Sequence, residues 1–339
     1  LAKNIYMSND TRETNINNND LIIGPSGAGK TRGYVMPNIM QSNESMVIVD
    51  TKGNLQRKTS KLLKKKGYEV CTVDFINPEK SIGYNPLEYI RRDKNTGKYS
   101  ETDICKLANS LCPVVSTRDP FWEISAQTFL CCFIAFVLET NPEEPKIENI
   151  MQIFRLWNKD IYKRLFTELE AENPESFAVN KYKEIDNVFD AERTASCIKQ
   201  FVANSVRYFN FSEINKMVNN KNSIDFKDLG KRKTALFVNV SDTDRSMDYF
   251  AKVFYEQLFQ ALCDSADRDL ENSRLKVPVR IILDDFASNV KIEDFDKIIS
   301  IIRSREISVS LMLQSISQIQ GLYTDKTAET IINNCDNIL

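Results

Sequence analysis

The sequence predicts an α/β protein: a parallel-rich sheet with its helices, interrupted partway along the chain by an inserted all-α domain. Three observations carry that expectation. Short apolar runs alternate with helical stretches between residues 21 and 73. From about residue 101 to 219 the apolar positions recur at helical spacing and strand-like alternation is scarce. Apolar runs separated by helices then return and continue to the end of the chain.

In chain order, a polar lead-in from Asn15 to Asp20 precedes Leu21-Ile22-Ile23, a short strand that enters a glycine-rich loop. A helix follows from about Lys30 to Met40, then a buried strand from Met46 to Val49. A basic helix from Leu55 to Lys66 leads to a third strand, Glu69 to Val73. This alternation reads as a parallel sheet with crossover helices. In the middle region Asp119-Pro120 predicts a helix start, with aspartate as the cap and proline at the first position. It launches Phe121 to Glu139, whose second half is apolar all round and belongs at the centre of a helical unit. Acidic residues crowd the same region: Glu139, Glu143, Glu144, Glu148, Glu168, Glu170 and Glu172. Strands resume at Ala235 to Val238, followed by a helix from Ser246 to about Asp267 and a strand from Val279 to Leu283. A helix from Ile292 to Ser304 and a strand from Ser308 to Leu313 come last, and Asn337-Ile338-Leu339 reads as the opening of another strand. One discontinuous domain is expected from 1–100 and 223–339, with the insertion at 101–222.

Composition excludes several classes. With 42% hydrophobic residues in 339, a sizeable core is expected and disorder is not. The net charge of −2 gives no bulk signal for nucleic acid, so any such contact needs a local basic surface. There is no histidine, which rules out histidine general bases and mixed Cys/His zinc sites. None of the 8 cysteines forms a Cys-x-x-Cys pair, and vicinal Cys131-Cys132 read as buried thiols in a reducing cytoplasm. The longest apolar run, Phe129 to Leu138, is about half the ~20 residues that span a bilayer. The chain begins at Leu1 and ends inside an apparent strand, so it is expected to be a piece of a longer protein.

The chemistry concentrates in Gly24-Pro25-Ser26-Gly27-Ala28-Gly29-Lys30-Thr31, which matches the phosphate-binding loop at every fixed position. Glycines let backbone N–H groups approach phosphate oxygens with no Cβ in the way. Lys30 serves the β- and γ-phosphates of ATP as a point charge, Thr31 is a Mg2+ ligand, and the helix that begins there adds its positive end. Arg32 is read as part of the same nucleotide contact. A second apolar strand must end in an acid. Val47-Ile48-Val49-Asp50 comes too early, directly after the loop's helix. Ile281-Ile282-Leu283-Asp284-Asp285 is the better fit, with Asp284 in the metal shell and Asp285 orienting or deprotonating water. Arg303 and Arg305 close the next helix, where the helix dipole favours cations in any case. Gln314 ends the following strand, where an amide can bond both a γ-phosphate oxygen and the attacking water, although a strand-end glutamine is commonly structural.

The ordered set GPSGAGKTRGYVMPNI, VIVDTKG, DPFWE and ILDDFASNVKIEDFDKIISIIRSREISVSLMLQSISQ closely resembles the TraG/TraD family, the coupling proteins of type IV secretion and bacterial conjugation. The resemblance runs from about Asn18 to Leu339. It implies a RecA-like core, an all-α insertion, a homo-hexameric ring and an N-terminal membrane anchor before Leu1. The chain would then be the cytoplasmic part of a bacterial inner-membrane protein. The implied work is ATP-driven delivery of a relaxase-bound single DNA strand, or of another secreted protein, to the type IV secretion channel. Carried over by position, Lys30 and Thr31 are the phosphate-loop pair, Asp284 the metal-shell aspartate, Gln314 the sensor and Arg303 the arginine that reaches a neighbouring subunit's site. One departure is Asp285, where many relatives have glutamate. The basic runs Arg57-Lys58-Lys61-Lys64-Lys65-Lys66 and Lys231-Arg232-Lys233 are either solvated faces or DNA contacts, with Lys64, Lys65 and Lys66 the candidates. An acidic insertion would suit basic signals on proteins better than DNA. Two other functions compete: another hexameric P-loop ATPase (an FtsK-like translocase or the channel's own ATPase), and a nucleotide-binding receptor that hydrolyses little.

Overall fold

The computed structural model describes residues 8, 10–41, 43–116, 118–269, 273–286 and 291–339. Seven strands form one sheet: β1 (Asp20–Ile23), β2 (Ser45–Val49), β3 (Glu69–Asp74), β4 (Thr234–Asn239), β5 (Val279–Leu283), β6 (Ile307–Leu313) and β7 (Asn337–Ile338). Their order is β3-β4-β2-β5-β6-β1-β7. Every pairing is parallel. Strands β2, β4, β5 and β6 are buried along their whole length, as expected when crossover helices cover both faces of a parallel sheet. Strand β6 pairs with both β1 and β5, with Leu21 beside Leu311 and Ile282 beside Ser310. All C-terminal ends of the strands therefore open on one edge of the sheet, where ligands of such sheets bind.

The chain divides into two compact units, one of residues 1–82 and 222–339 and one of 83–221. The division falls earlier than the 100/101 border read from the sequence. Residues 83–100 lack helical periodicity, yet their bonds run to the helical unit. Arg91 donates to both carboxylate oxygens of Asp103 at 2.7 Å, and the Tyr99 hydroxyl donates to the Pro142 carbonyl at 2.8 Å.

Within that unit the central helix is Phe121–Thr140. It is long and apolar enough to cross a membrane, but Phe129 to Ala135 are all buried here. Full burial of a side chain such as Phe133 contributes about 1.5–3 kcal/mol. An aromatic cluster surrounds it, including a stacked Phe166–Tyr182 pair with centroids 4.4 Å apart. The helix start is offset by one residue from the expected one: Pro120 occupies the cap position, and Asp119 accepts from the Phe121 N–H at 3.3 Å. Several of the crowded acids have structural partners. Glu139 accepts from Phe177 and Ala178 N–H at 3.0 and 3.2 Å, capping helix Phe177–Ile185. Glu143 pairs with Arg92 and Glu170 with Lys183. The eight cysteines are free thiols, with Cys131 and Cys132 buried.

One expected helix has a different form. Lys30 to Met40 begins as a π-helix over Thr31–Val35 and becomes α-helical only at Met36–Gln41. The Met36 N–H donates to the Thr31 carbonyl, five residues back. Pro37 accounts for the wide turn: it has no N–H for the Gly33 carbonyl, and its ring crowds that oxygen in a regular α-helix.

Candidate nucleotide-binding site

Strand β1 delivers the chain to the loop, and the Gly24 N–H donates to the Leu313 carbonyl at 3.0 Å, which ties the loop to the end of β6. Gly27 and Gly29 have φ of +81° and +88°, conformations that only glycine adopts without strain. Residues 25–29 are exposed. The Lys30 ammonium lies at the loop, donating to the Gly24 and Pro25 carbonyls. The Thr31 hydroxyl donates to Asp284 Oδ2 at 2.9 Å. A separation of 253 residues in sequence thus closes to a single hydrogen bond.

Asp284 follows β5 and is partly buried. Burial pushes its carboxyl above the usual aspartate range, the Thr31 hydroxyl opposes that, and the charge of Asp285 adds to it. A divalent cation at this position would reverse the tendency. The hydroxyl and carboxylate form an all-oxygen donor pair, the kind magnesium takes alongside phosphate oxygens and water. The Asp285 N–H donates to the other Asp284 oxygen at 3.1 Å. Asp285 itself has φ of +52°, a left-handed turn in a non-glycine residue, of the strained kind concentrated at functional sites. Gln314 ends β6, between the loop after β1 and Asp284 after β5, and its side chain is exposed. Its N–H donates to the Gln318 side-chain oxygen at 2.8 Å. Arg32 is exposed on the π-helical segment beside the loop.

Other candidates lie elsewhere. Asp50 is buried, and its carboxylate accepts from the Asn54 and Gln56 N–H groups at 3.0 Å, so it serves the start of helix Asn54–Lys65. Arg303 precedes β6 and therefore sits at the opposite edge of the sheet, roughly 20 Å from the loop at about 3.3 Å per strand residue. Its guanidinium donates to the Asn15 carbonyl at 2.6 Å. Arg305 has a structural engagement, donating to both carboxylate oxygens of Asp267 at 2.9 and 2.8 Å. Lys64, Lys65 and Lys66 close the helix before β3, also on that far edge. Lys66 donates to the Met40 carbonyl. The run Lys231-Arg232-Lys233 precedes β4, and the Glu69 N–H bonds to the Lys233 carbonyl, so the two basic runs are neighbours. That proximity follows from strand order and is invisible in the linear sequence. Of the long final motif, residues 287–290 lie outside the described residues.

Known proteins are similar to this chain in sequence and in fold. Protein VirD4 of Agrobacterium fabrum is 23% identical over 322 residues, covering 93% of this chain and 46% of VirD4. The chain thus spans about half the length of that relative. Among solved structures, the bacterial conjugative coupling protein TrwB, in a sulphate complex, superposes with a TM-score of 0.63 at 17% identity, covering 94% of this chain and 69% of TrwB. TrwB in complex with ADP and Mg2+ gives 0.60 at 18% identity, with the same coverage of 94% and 69%. Residues 4–339 match the family described as type IV secretory system conjugative DNA transfer. The chain belongs to that family, and its fold is the α/β fold of the coupling proteins.

Proposed function

We propose that this chain is the ATPase region of a coupling motor: it binds MgATP, hydrolyses it in a homo-hexameric ring, and passes a relaxase-bound single DNA strand or a protein substrate to a type IV secretion channel. The observation that carries the reading is the Thr31–Asp284 hydrogen bond beside a glycine-rich loop, with Gln314 between the two strand ends. The loop N–H groups and Lys30 hold the triphosphate, while Thr31 and Asp284 hold magnesium, which neutralises charge on the β- and γ-phosphates. Asp285 and Gln314 orient the attacking water. An N-terminal anchor would place the ring at the cytoplasmic face of the inner membrane. The family match and the likeness to a coupling protein with ADP and Mg2+ support this reading over an FtsK-like translocase.

The two aspartates separate in a direct experiment. Asp284→Asn should weaken magnesium-dependent nucleotide binding, whereas Asp285→Asn should bind MgATP and lose turnover. Asp285→Glu should speed hydrolysis if reach toward water is limiting. Equal magnesium affinity in both asparagine variants, measured by calorimetry, would show that the roles are wrongly divided.

DNA on the basic edge would be held through phosphates, so affinity should fall with salt at a log–log slope of about −0.7 per contact for single strands. Because Lys66 is tied to the Met40 carbonyl, the informative pair is Lys64 and Lys65. Neutralising both should flatten the slope by about 1.4; an unchanged slope would make this edge ordinary solvated surface.

A further inference from the structure

The three strands that carry the site also carry a second polar layer beneath it. Asp20, Arg280 and Ser310 each stand four residues before a site residue: Gly24, Asp284 and Gln314 respectively. An even offset keeps each pair on one sheet face, and Ile22, Ile282 and Met312 form a buried apolar layer between. Arg280 is buried and donates Nη1 to Asp20 Oδ2 at 2.6 Å, to Ser310 Oγ at 3.1 Å and to the Asn18 carbonyl at 3.2 Å. Its Nε donates to Glu44 Oε1 at 2.6 Å. Asn337 Nδ2 donates to Asp20 Oδ1 at 2.8 Å. The last member is Tyr34, 4% exposed, whose hydroxyl donates to the Asp20 carboxylate and lies 3.0 Å from Ser310 Oγ.

Tyr34 comes from the π-helical turns that follow directly on Lys30 and Thr31. Short π segments are uncommon and recur at functional sites. A buried ionic network is weak evidence for stability, since an apolar core of the same shape often does as well. Its more direct consequence is geometric. It joins the loop's own helix to β1, β5 and β6, the strands whose ends must be in register for Thr31 to meet Asp284.

We propose that Tyr34 is a positioning residue: bonded to Asp20 and, through it, to Arg280, it holds the π-helical turns so that the Thr31 hydroxyl is set on Asp284 before magnesium arrives. The inference rests on the reading of Thr31 and Asp284 as the metal pair. Tyr34→Phe removes one oxygen and keeps the ring that packs in the core. A residue bonded directly to a metal ligand typically contributes about 10–100-fold to metal affinity; Tyr34 acts one step further out, through the turns that carry Thr31, so about 10-fold is its upper bound.

The test measures ADP affinity with and without Mg2+, by calorimetry, alongside Tm. The proposal expects Tyr34→Phe to bind metal-free ADP like the parent while the gain from Mg2+ falls by about 3- to 10-fold. A lower Tm with the parental Mg2+ gain would overturn it and leave Tyr34 a structural residue. Ser310→Ala, which removes the other hydroxyl beside Tyr34, should shift the gain in the same direction. If Tyr34→Phe does not fold, an unshifted Mg2+ gain in Ser310→Ala would count against the proposal in the same way. A parent that binds ADP with no Mg2+ gain would overturn the metal-pair reading itself, and the proposal with it.

Discussion

Arg303→Ala is expected to bind MgATP as the parent does and to lose roughly 10³–10⁵-fold in turnover, the contribution of an arginine supplied in trans to a phosphoryl-transfer site. The magnitude is large because such an arginine meets charge that develops only in the transition state. Its own phosphate loop is out of reach. Arg303 precedes β6, whereas the loop follows β1 at the other end of the same strand pair. A solitary subunit should therefore hydrolyse slowly, and specific activity should rise as concentration or a DNA scaffold drives assembly. In that ring Arg303 must leave the Asn15 carbonyl that it now bonds. Mixing variants tests the shared site. Lys30→Ala subunits can lend Arg303 to Arg303→Ala partners, and partial recovery of activity is expected. A mixture that co-assembles and stays dead, or a normal rate for Arg303→Ala alone, would make this arginine a helix end and nothing more.

Lys30→Ala should abolish triphosphate binding or turnover and leave the fold intact. Among the described residues the lysine bonds to the loop carbonyls of Gly24 and Pro25, and neither contact belongs to the buried core. In the proposed reading its removal deletes the loop's own point charge for the β- and γ-phosphates. The variant should keep the parental circular dichroism and Tm while ATP-dependent phosphate release disappears. A folded Lys30→Ala protein that hydrolyses at the parental rate would remove the loop from the account.

Much of this was legible in the chain itself. The apolar runs are short, largely aliphatic and bounded by polar residues, so all seven strands can be read from the sequence to within one or two residues, including the short one at Asn337. The phosphate loop was legible because its chemistry depends on local spacing alone. Asp50 and Asp284 look alike locally, each closing a strand of aliphatic residues, and the order of strands along the chain is what favours Asp284. The structure adds their partners, since one accepts from the next helix's N–H groups and the other meets Thr31. The Tyr34–Asp20–Arg280 network was not legible. Arg280 sits inside an otherwise apolar strand, and its two carboxylate partners lie 260 and 236 residues away, on β1 and just before β2. A signal for the π-helix was present in Pro37, which removes a helical donor. The border of the helical unit was misplaced because residues 83–100 have no periodicity, and only their long-range bonds assign them.

Steady-state phosphate release from MgATP, followed over a range of protein concentrations with and without single-stranded DNA, separates a motor from a receptor. A motor should show measurable hydrolysis that climbs with assembly, climbs further with DNA, and vanishes in Lys30→Ala. A folded parent that binds MgATP, assembles, and releases no phosphate with or without DNA would contradict the motor reading, and would leave a nucleotide-binding receptor in place of a motor.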